Sequence, residues 1–475
     1  MGSKFGALRV LVLYNVGLRG DTDLVSIAEC FPALEELDIN YPRRNRSAQV
    51  TDDGISALSR TLQRLSRIDV SGNRFLFDKS LVVLSLNCRP LREVKFRGCG
   101  LMTRRGIASL IVNRPHLVSL ALNDMKEEAI FCEEWVDSFR VTPKGLRSLD
   151  FLGSFIWDEL LMSVVETNIP LRGLFLSHAS GFLFDGIWNI VLEHRGIKVL
   201  DLEVHFLTDR DMSMICKDLH SLTYININHC SNLTMTTLCN LMRQCPFLKA
   251  MKMEKMNLRK DDANETDIVM NSQVRSLSIP SNGKLTDECL KKIGHMCPKL
   301  QYLNAGDCLK ITGDSILGVL KSCPEIRHLE IHGLRKKKKR NLCIDFELPR
   351  LEVLQSEGLK LNDEQLAAFI SRCCILKYLD LLHCLHLSTE GVEKVVRNCN
   401  PLREINLMNC HNVRGVCEAI FEENSPTSWI SFIQNPRLLL AAWVVLPVMS
   451  DFKGTIDECT VAPATTPLDE HFYRL

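Results

Sequence analysis

A six-residue pattern, L-x-x-L-x-L with other aliphatic residues allowed, recurs along most of the chain and constrains its fold more than any other feature. It begins at sixteen positions, and thirteen of the fifteen intervals between successive starts are 25 or 26 residues long. We interpret the other two intervals, of 31 and 29 residues, as loop insertions. A fixed period of this length indicates a repeat array rather than separate globular domains. The starts are Leu8, Leu34, Leu65, Leu91, Leu117, Leu146, Leu171, Ile197, Leu222, Leu248, Val274, Leu300, Ile326, Leu351, Leu376 and Leu402.

Each repeat combines a short strand with a helix. The last two apolar residues of the pattern are two positions apart, so both point to one face of a strand. Later in the unit a polar residue precedes apolar residues at helical spacing, as at Thr51, Thr208, Thr286, Thr312 and Asn362, which is typical of a helix N-cap. One strand and one helix cannot bury their apolar faces alone. We therefore predict an α/β solenoid, or horseshoe, of about 16 stacked repeats over residues 1–415, with parallel strands on the concave side and helices on the convex side.

The chain contains 20 cysteines, and eleven of them follow the same period. They are interpreted as small residues in a recurrent core position. Zinc ligation is disfavoured because no two C-x-x-C pairs stand at finger-like spacing. Abundant cysteine without a recognisable secretion signal favours reduced thiols and a cytoplasmic or nuclear protein. Three residues before a repeat start lie Cys88, Cys245, Cys297, Cys323, Cys373 and Cys399, and eight residues after a start lie Cys99, Cys230, Cys308, Cys384 and Cys410.

The complete unit, C-P-x-L-x-x-L-x-L-x-x-C-x-x-L-T-D-x-x-L, resembles the cysteine-containing leucine-rich repeat. The segments from Cys297 to Thr312 and from Cys399 to Cys410 match this unit closely. It is characteristic of F-box/leucine-rich-repeat proteins, and long imperfect arrays look most like the plant members. Those proteins are substrate-recognition subunits of Skp1–cullin–F-box (SCF) ubiquitin ligases. The resemblance implies a protein-interaction module acting in ubiquitin-dependent protein degradation, with a protein substrate on the concave face.

One departure from that family concerns the F-box, which binds Skp1 and usually precedes the repeats. The first repeat starts at Leu8, and residues 416–475 lack a Leu-Pro pair followed by amphipathic helices. We expect residues 416–475 to form an irregular tail or a degenerate cap. Skp1 and cullin are expected to be reached only through an F-box that is not present in this sequence. An F-box-less scaffold, or a ligand-sensing protein with no ligase role, is the alternative.

The predicted binding surface consists of strand side chains beside the buried pair, which point into the concave face. The middle and later repeats are rich in Tyr, His and Asn here, and such residues make good contact surfaces. The alternative is that each is merely a solvated strand position. The predicted residues are Tyr224, Asn226, Asn228, Tyr302, Asn304, His328, Glu330, His332, Tyr378, Asp380 and Leu382.

A single dense run of charge interrupts the array after the thirteenth start. It could be a nuclear localisation signal, a phosphate-binding loop or a solvated loop. The net charge of +1 gives no general reason to expect nucleic acid or a membrane as the main partner. Common catalytic and nucleotide-binding motifs are missing from the sequence, so we expect no enzymatic activity, no cofactor and no metal. The run comprises Arg335, Lys336, Lys337, Lys338, Lys339 and Arg340.

Overall fold

The computed structural model describes residues 6–42, 49–122, 131–141, 144–167, 169–259, 269–333, 345–359 and 361–413, together with the strand at 431–432. The described residues up to Ile197 form one compact unit, unit 1, and those from Lys198 onwards form a second, unit 2. The two long intervals of the repeat pattern contain residues 43–48 and 123–130, so the predicted insertions lie outside the described residues.

Unit 1 is a parallel sheet whose neighbouring strands are joined by helices. Each of its strands pairs with the next one along the chain. The strands are β1 (Val10–Val12), β2 (Glu36–Asp38), β3 (Arg67–Asp69), β4 (Glu93–Lys95), β5 (Ser119–Ala121), β6 (Ser148–Asp150) and β7 (Gly173–Phe175). The helices are α1 (Asp21–Cys30), α2 (Asp52–Thr61), α3 (Asp78–Asn87), α4 (Arg104–Asn113), α5 (Glu133–Val141), α6 (Asp158–Val165) and α7 (Phe184–Glu193).

Unit 2 is a parallel sheet of the same kind, and the structure describes helices after β8, β9, β11, β12, β14 and β15. Its strands also pair in parallel and in chain order. They are β8 (Val199–Asp201), β9 (Tyr224–Asn226), β10 (Ala250–Lys252), β11 (Ser276–Ser278), β12 (Tyr302–Asn304), β13 (His328–Glu330), β14 (Val353–Gln355), β15 (Tyr378–Asp380), β16 (Glu404–Asn406) and β17 (Ser431–Phe432). The helices are α8 (Asp209–Ile215), α9 (Met235–Gln244), α10 (Asp287–Met296), α11 (Gly313–Ser322), α12 (Asp363–Ile370) and α13 (Thr389–Asn398).

The strands confirm the sixteen predicted starts. Each strand from β1 to β16 begins two residues after a start, as β12 does at Tyr302 after the start at Leu300. Opposite residues in neighbouring strands are one repeat apart, so Tyr302 faces His328. β17 adds one further strand beside β16. Residues 414–430 and 433–475 lie outside the described residues, so the predicted boundary at residue 415 stays a prediction.

In the repeats whose helix the structure describes, the core lies between the strand and the helix. The central strand residues Leu303, Leu329 and Leu379 are fully buried. Within the described residues the helices are short, and none is long and apolar enough to cross a membrane. Because the strands pair in parallel and in chain order and a helix follows most of them, the fold of each unit is the predicted α/β leucine-rich-repeat solenoid.

The eleven periodic cysteines are all buried, which confirms their predicted place in the core. Cys308 Sγ donates to the carbonyl of Ile279 in the preceding repeat at 3.2 Å. Burial raises the pKa of the Cys308 thiol to about 11, so it keeps the proton that it donates. Asn282 takes the equivalent position one repeat earlier, and its Nδ2 donates to Met253 and Ile279 carbonyls at 2.8 Å. The position therefore selects a small side chain that can donate a hydrogen bond to the neighbouring repeat.

Hydrogen bonds between helix N-termini also join successive repeats. The predicted N-caps Thr51, Thr208, Thr286, Thr312 and Asn362 all occupy N-cap positions. The aspartate that follows an N-cap also accepts hydrogen bonds from the N-cap residue of the next repeat.

Asp287 shows this second role, because it accepts hydrogen bonds from Thr312 N at 2.7 Å and from Thr312 Oγ1 at 2.9 Å. Asp363 accepts in the same way from Ser388 N at 2.9 Å and Ser388 Oγ at 2.6 Å. One carboxylate thus fixes the start of the following helix.

A substitution at Gly391 tests the hydrogen bonds between Asp363 and Ser388. A Cβ at this position would overlap the Asp363 carboxylate that holds Ser388. We expect Gly391→Ala to lower the free energy of unfolding by about 2 kcal/mol. The steric cost of the overlap outweighs the roughly 1 kcal/mol that alanine gains over glycine from helix propensity. Urea unfolding followed by circular dichroism measures the change.

Gly318→Ala, within α11, is the matched control. The three atoms nearest to its Cβ would all belong to the flexible Lys291 side chain, the closest at 3.1 Å. Stability should be unchanged or rise by up to about 1 kcal/mol. Equal destabilisation by both substitutions would contradict the proposed role of the aspartate.

Candidate partner-binding surface on unit 2

The predicted binding residues lie on one side of the unit 2 sheet, which we call the strand face. Alternate strand residues point away from the buried central residue, so positions one and three of each strand share this side. The pairing places them in two rows. The first row is Tyr224, Ala250, Ser276, Tyr302, His328, Val353, Tyr378 and Glu404, and the second is Asn226, Lys252, Ser278, Asn304, Glu330, Gln355, Asp380 and Asn406.

Glu330 is the centre of one polar cluster on the strand face. It is buried, and it accepts hydrogen bonds from Tyr302 Oη at 2.9 Å and Asn304 Nδ2 at 2.6 Å. Burial raises the pKa of Glu330 and raises the pKa of Tyr302 well above its usual range. The His328 ring packs edge-on against Tyr302, with 6.4 Å between the ring centroids. Burial lowers the pKa of His328, which favours a neutral imidazole.

Asp380 is the centre of a second cluster with the same composition. It accepts hydrogen bonds from Asn406 Nδ2 at 3.1 Å, from Leu382 N at 2.9 Å and, more weakly, from Tyr378 Oη at 3.4 Å. Burial raises the pKa of Asp380. A tyrosine, a carboxylate and an asparagine thus occur together twice, which fixes both carboxylates in place before any partner arrives.

Asn226 and Asn228 take part in local structure. Asn226 Nδ2 donates to Asp201 Oδ2 at 3.1 Å, and its Oδ1 accepts from Asn228 N at 3.1 Å. The Asn228 side chain in turn accepts from Glu254 N at 2.7 Å. These asparagines shape the loops after the strands, so their presence on the strand face has a structural cause as well as a possible binding role.

His332 follows β13 and lies partly exposed above Gly306. A Cβ at Gly306 would overlap the imidazole ring, so the glycine leaves the space that the ring occupies. His332 Nε2 is 3.4 Å from Asp307 Oδ2.

The eleven predicted residues differ in exposure. Asn226, His328, Glu330, Tyr378 and Asp380 are buried, whereas Tyr224, Asn228, Tyr302, Asn304, His332 and Leu382 are half-buried. The half-buried six are those that a partner would contact first. That the eleven bind a partner stays a prediction. The basic run from Arg335 to Arg340 lies outside the described residues.

Sequence reasoning missed Asp201 and Glu203, which continue the strand face at β8. The register that selected Tyr224 and Asn226 would have found them four and six residues after the start at Ile197. Glu203 is buried, and burial together with the charge of Asp201 raises its pKa to about 7. Its Oε1 lies 3.6 Å from His229 Nε2.

The pKa of Glu203 predicts a pH effect on stability. Because the folded protein holds this proton more tightly than the unfolded chain, its contribution to stability is complete below pH 4.5 and is lost as the pH rises through about 7. Glu203→Gln should therefore lessen the loss of stability between pH 5 and pH 8 by about 2 kcal/mol. Urea unfolding at pH 5 and pH 8 measures this change in the free energy of unfolding. The exposed Glu357→Gln, which removes the same charge, is the control, and equal pH profiles for wild type and Glu203→Gln would contradict the assignment.

Three curated proteins are similar to parts of this chain. No protein-family model matches it. F-box protein SKIP1 of Arabidopsis thaliana is 26% identical over 149 residues, which are 27% of this chain and 49% of that protein. Putative F-box/LRR-repeat protein 23 of Arabidopsis thaliana is 28% identical over 127 residues, 25% of this chain and 28% of that protein. F-box/LRR-repeat protein 4 of Bos taurus is 24% identical over 147 residues, 30% of this chain and 23% of that protein.

Two solved structures align with most of the chain at low sequence identity. A chain of the crystal structure of the Rad7 and Elc1 complex in yeast aligns with a TM-score of 0.46 and 13% identity, covering 88% of this chain and 84% of that one. A chain of the TLR13–ssRNA13 complex aligns with a TM-score of 0.35 and 14% identity, covering 90% of this chain and 65% of that one. The matched segments span at most about half the length of the curated relatives. Over these segments the chain is similar to F-box/leucine-rich-repeat proteins, as its cysteine-containing repeat indicated.

Proposed function

We propose that the chain recognises a partner protein through the unit 2 strand face, and that it does so as the substrate-recognition part of an SCF-type ubiquitin ligase. The observation that supports recognition most directly is the recurrence of hydrogen-bonded Tyr, carboxylate and Asn clusters around Glu330 and Asp380. These clusters present polar and aromatic groups on neighbouring strands of one sheet.

Preorganisation favours binding on such a surface. Side chains that are already held by hydrogen bonds lose little further freedom when a partner docks, so more of the contact energy becomes affinity. Tyrosine contributes a large, rigid contact area at low entropic cost. The half-buried residues Tyr302, His332 and Leu382 offer this area beside the fixed carboxylates.

The link to ubiquitin ligases is supported by the relatives, all three of which carry the F-box in their names. In a complex of this kind the chain would supply affinity and orientation for the substrate, while other subunits would transfer ubiquitin.

The test supplies an F-box to the chain. A fusion of a known F-box to its N-terminus is assembled with Skp1, cullin and a RING subunit, and proteins whose ubiquitylation depends on the fusion are quantified by mass spectrometry. We expect the double variant His332→Ala/Leu382→Ala to lower ubiquitylation of these proteins at least about fivefold, because it removes two contact residues from the strand face.

A matched control uses the same two kinds of substitution outside the strand face. Leu385 and His386 are exposed in the loop after β15, so Leu385→Ala/His386→Ala removes equivalent side chains. This control should keep the activity of the unmodified fusion. Equal activity of both double variants, or the same ubiquitylated proteins with the F-box alone, would contradict the proposal.

A further inference from the structure

We infer that the partner segment on the unit 2 strand face is rich in lysine and arginine. The inference rests on the proposed function and names the chemical class of the segment that the strand face accepts. Its basis is an imbalance of charge on a surface that belongs to a chain with a net charge of only +1.

The strand face carries seven carboxylates and one lysine, counted at strand positions one and three and two residues after each strand. Lys252 is the lysine. From β13 to β16 every strand contributes one carboxylate. The seven are Asp201, Glu203, Glu254, Glu330, Glu357, Asp380 and Glu404.

The central carboxylates are held by neutral donors. Glu330 is bonded by Tyr302 and Asn304, and Asp380 by Asn406, Tyr378 and a backbone amide. These bonds fix the side chains but leave their negative charge in place when they are ionised. Two of the other carboxylates have a basic side chain nearby: Lys255 Nζ is 3.4 Å from Glu254 Oε1, and His229 Nε2 is 3.6 Å from Glu203 Oε1.

Unit 1 shows the opposite arrangement on its own strands. Arg67 Nη1 lies 3.1 Å from Glu36 Oε1, and Arg67 Nε lies 2.9 Å from Glu93 Oε1, so one guanidinium forms ion pairs with two carboxylates. Arg97 pairs with Asp150. The same repeat can therefore place arginine beside acids on its strands. From β8 to β16 no lysine or arginine stands at the register positions of Arg67 and Arg97, and tyrosine recurs at the first of them.

Glu404 adds an independent observation. Its Oε2 atom is buried, and the described residues provide no hydrogen-bond partner for it. A buried acceptor without a donor costs free energy. Glu404 lies opposite Tyr378 in the sheet register, next to the Asp380 cluster, so an N–H group of a partner bound there could supply the missing hydrogen bond.

Positive charge is concentrated at the edge of unit 2 where its strands begin. Six of the residues immediately before the strands are basic, and Glu352 is the acidic exception. A polyanion over the strand face would meet carboxylates, whereas a basic peptide there is attracted by the strand face and repelled from this edge. The observations therefore favour a protein segment over nucleic acid. The six are Lys198, Lys249, Arg275, Arg327, Lys377 and Arg403.

The spacing of the carboxylates sets the spacing of the cations. Glu330 and Asp380 occupy the same row two strands apart, with Gln355 between them. Two steps of about 4.8 Å separate them by about 10 Å, which is about three residues of an extended peptide. In a segment with polyproline II conformation, which has three residues per turn and rises about 3.1 Å per residue, lysines at every third position lie on one side about 9 Å apart and fit this spacing.

The experiment measures binding of a fluorescein-labelled (Lys-Ser-Ser)4 peptide to the full chain by fluorescence anisotropy, with (Glu-Ser-Ser)4 as the opposite probe. The lysine peptide should bind and the glutamate peptide should not. Raising NaCl from 50 to 200 mM should weaken binding severalfold.

Three variants locate the site. Glu330→Gln/Asp380→Asn keeps side-chain shape and should weaken binding about tenfold. Lys252→Glu removes the lysine of the strand face and should strengthen binding about threefold, a gain that misfolding could not produce. Glu36→Gln, on β2 of unit 1, removes one negative charge elsewhere and should change affinity less than twofold.

Equal binding of the lysine peptide to wild type and to Glu330→Gln/Asp380→Asn would overturn the inference, as would weaker binding to Lys252→Glu. If the peptide result is negative while ubiquitylation by the F-box fusion still depends on His332 and Leu382, the charge preference is wrong and the proposed function stands. If the lysine peptide binds as expected but ubiquitylation does not depend on His332 and Leu382, the charge preference is supported and the proposed function is contradicted.

Discussion

The parallel hydrogen bonds between neighbouring strands are the interaction on which each unit depends. Every strand from β1 to β16 is only three residues long, and a strand of this length has no stability of its own. A strand inside a unit persists because a strand on each side hydrogen-bonds to it and because its central residue is buried. Stability in such an array is a sum of contacts between adjacent repeats, so the side chains that cross from one repeat to the next carry special weight.

Two kinds of side chain make these crossings. Cys308 and Asn282 reach a carbonyl of the preceding repeat from the same core position, and Asp287 and Asp363 hold the N-cap of the following helix. Because these contacts recur with the period of the sequence, they keep the strands in register. The register in turn places Tyr302, Glu330 and Asp380 on one face of the sheet.

Buried carboxylates on that face oppose folding, since burial disfavours the charged form. Glu203, Glu330 and Asp380 all have raised pKa values for this reason. Tyrosine and asparagine donors offset part of the cost. Stability alone would favour apolar residues of similar size at these positions, and a cationic partner that pairs with the acids would explain their presence.

Much of the fold could be predicted from the sequence, because strands, N-caps such as Thr312 and core cysteines such as Cys308 follow one local pattern. The candidate surface could be predicted only as a set of positions. Exposure could not be predicted, and Tyr378 proved buried while Tyr302 is half-buried. Nor could the bond from Thr312 to Asp287 be foreseen, because it joins residues 25 positions apart. These features depend on contacts between repeats, which a pattern within one repeat does not contain.

Hydrogen exchange of backbone amides, measured by mass spectrometry on the full chain, tests most directly whether the hydrogen bonds between parallel strands hold each unit together. Amides of β9 to β16 should exchange slowly and at similar rates, because opening one of these strands breaks hydrogen bonds to the strand on each side. The loops between them should exchange faster, giving protection that recurs every 25 or 26 residues. Strand amides that exchange as fast as the loops, or protection without this period, would contradict the account.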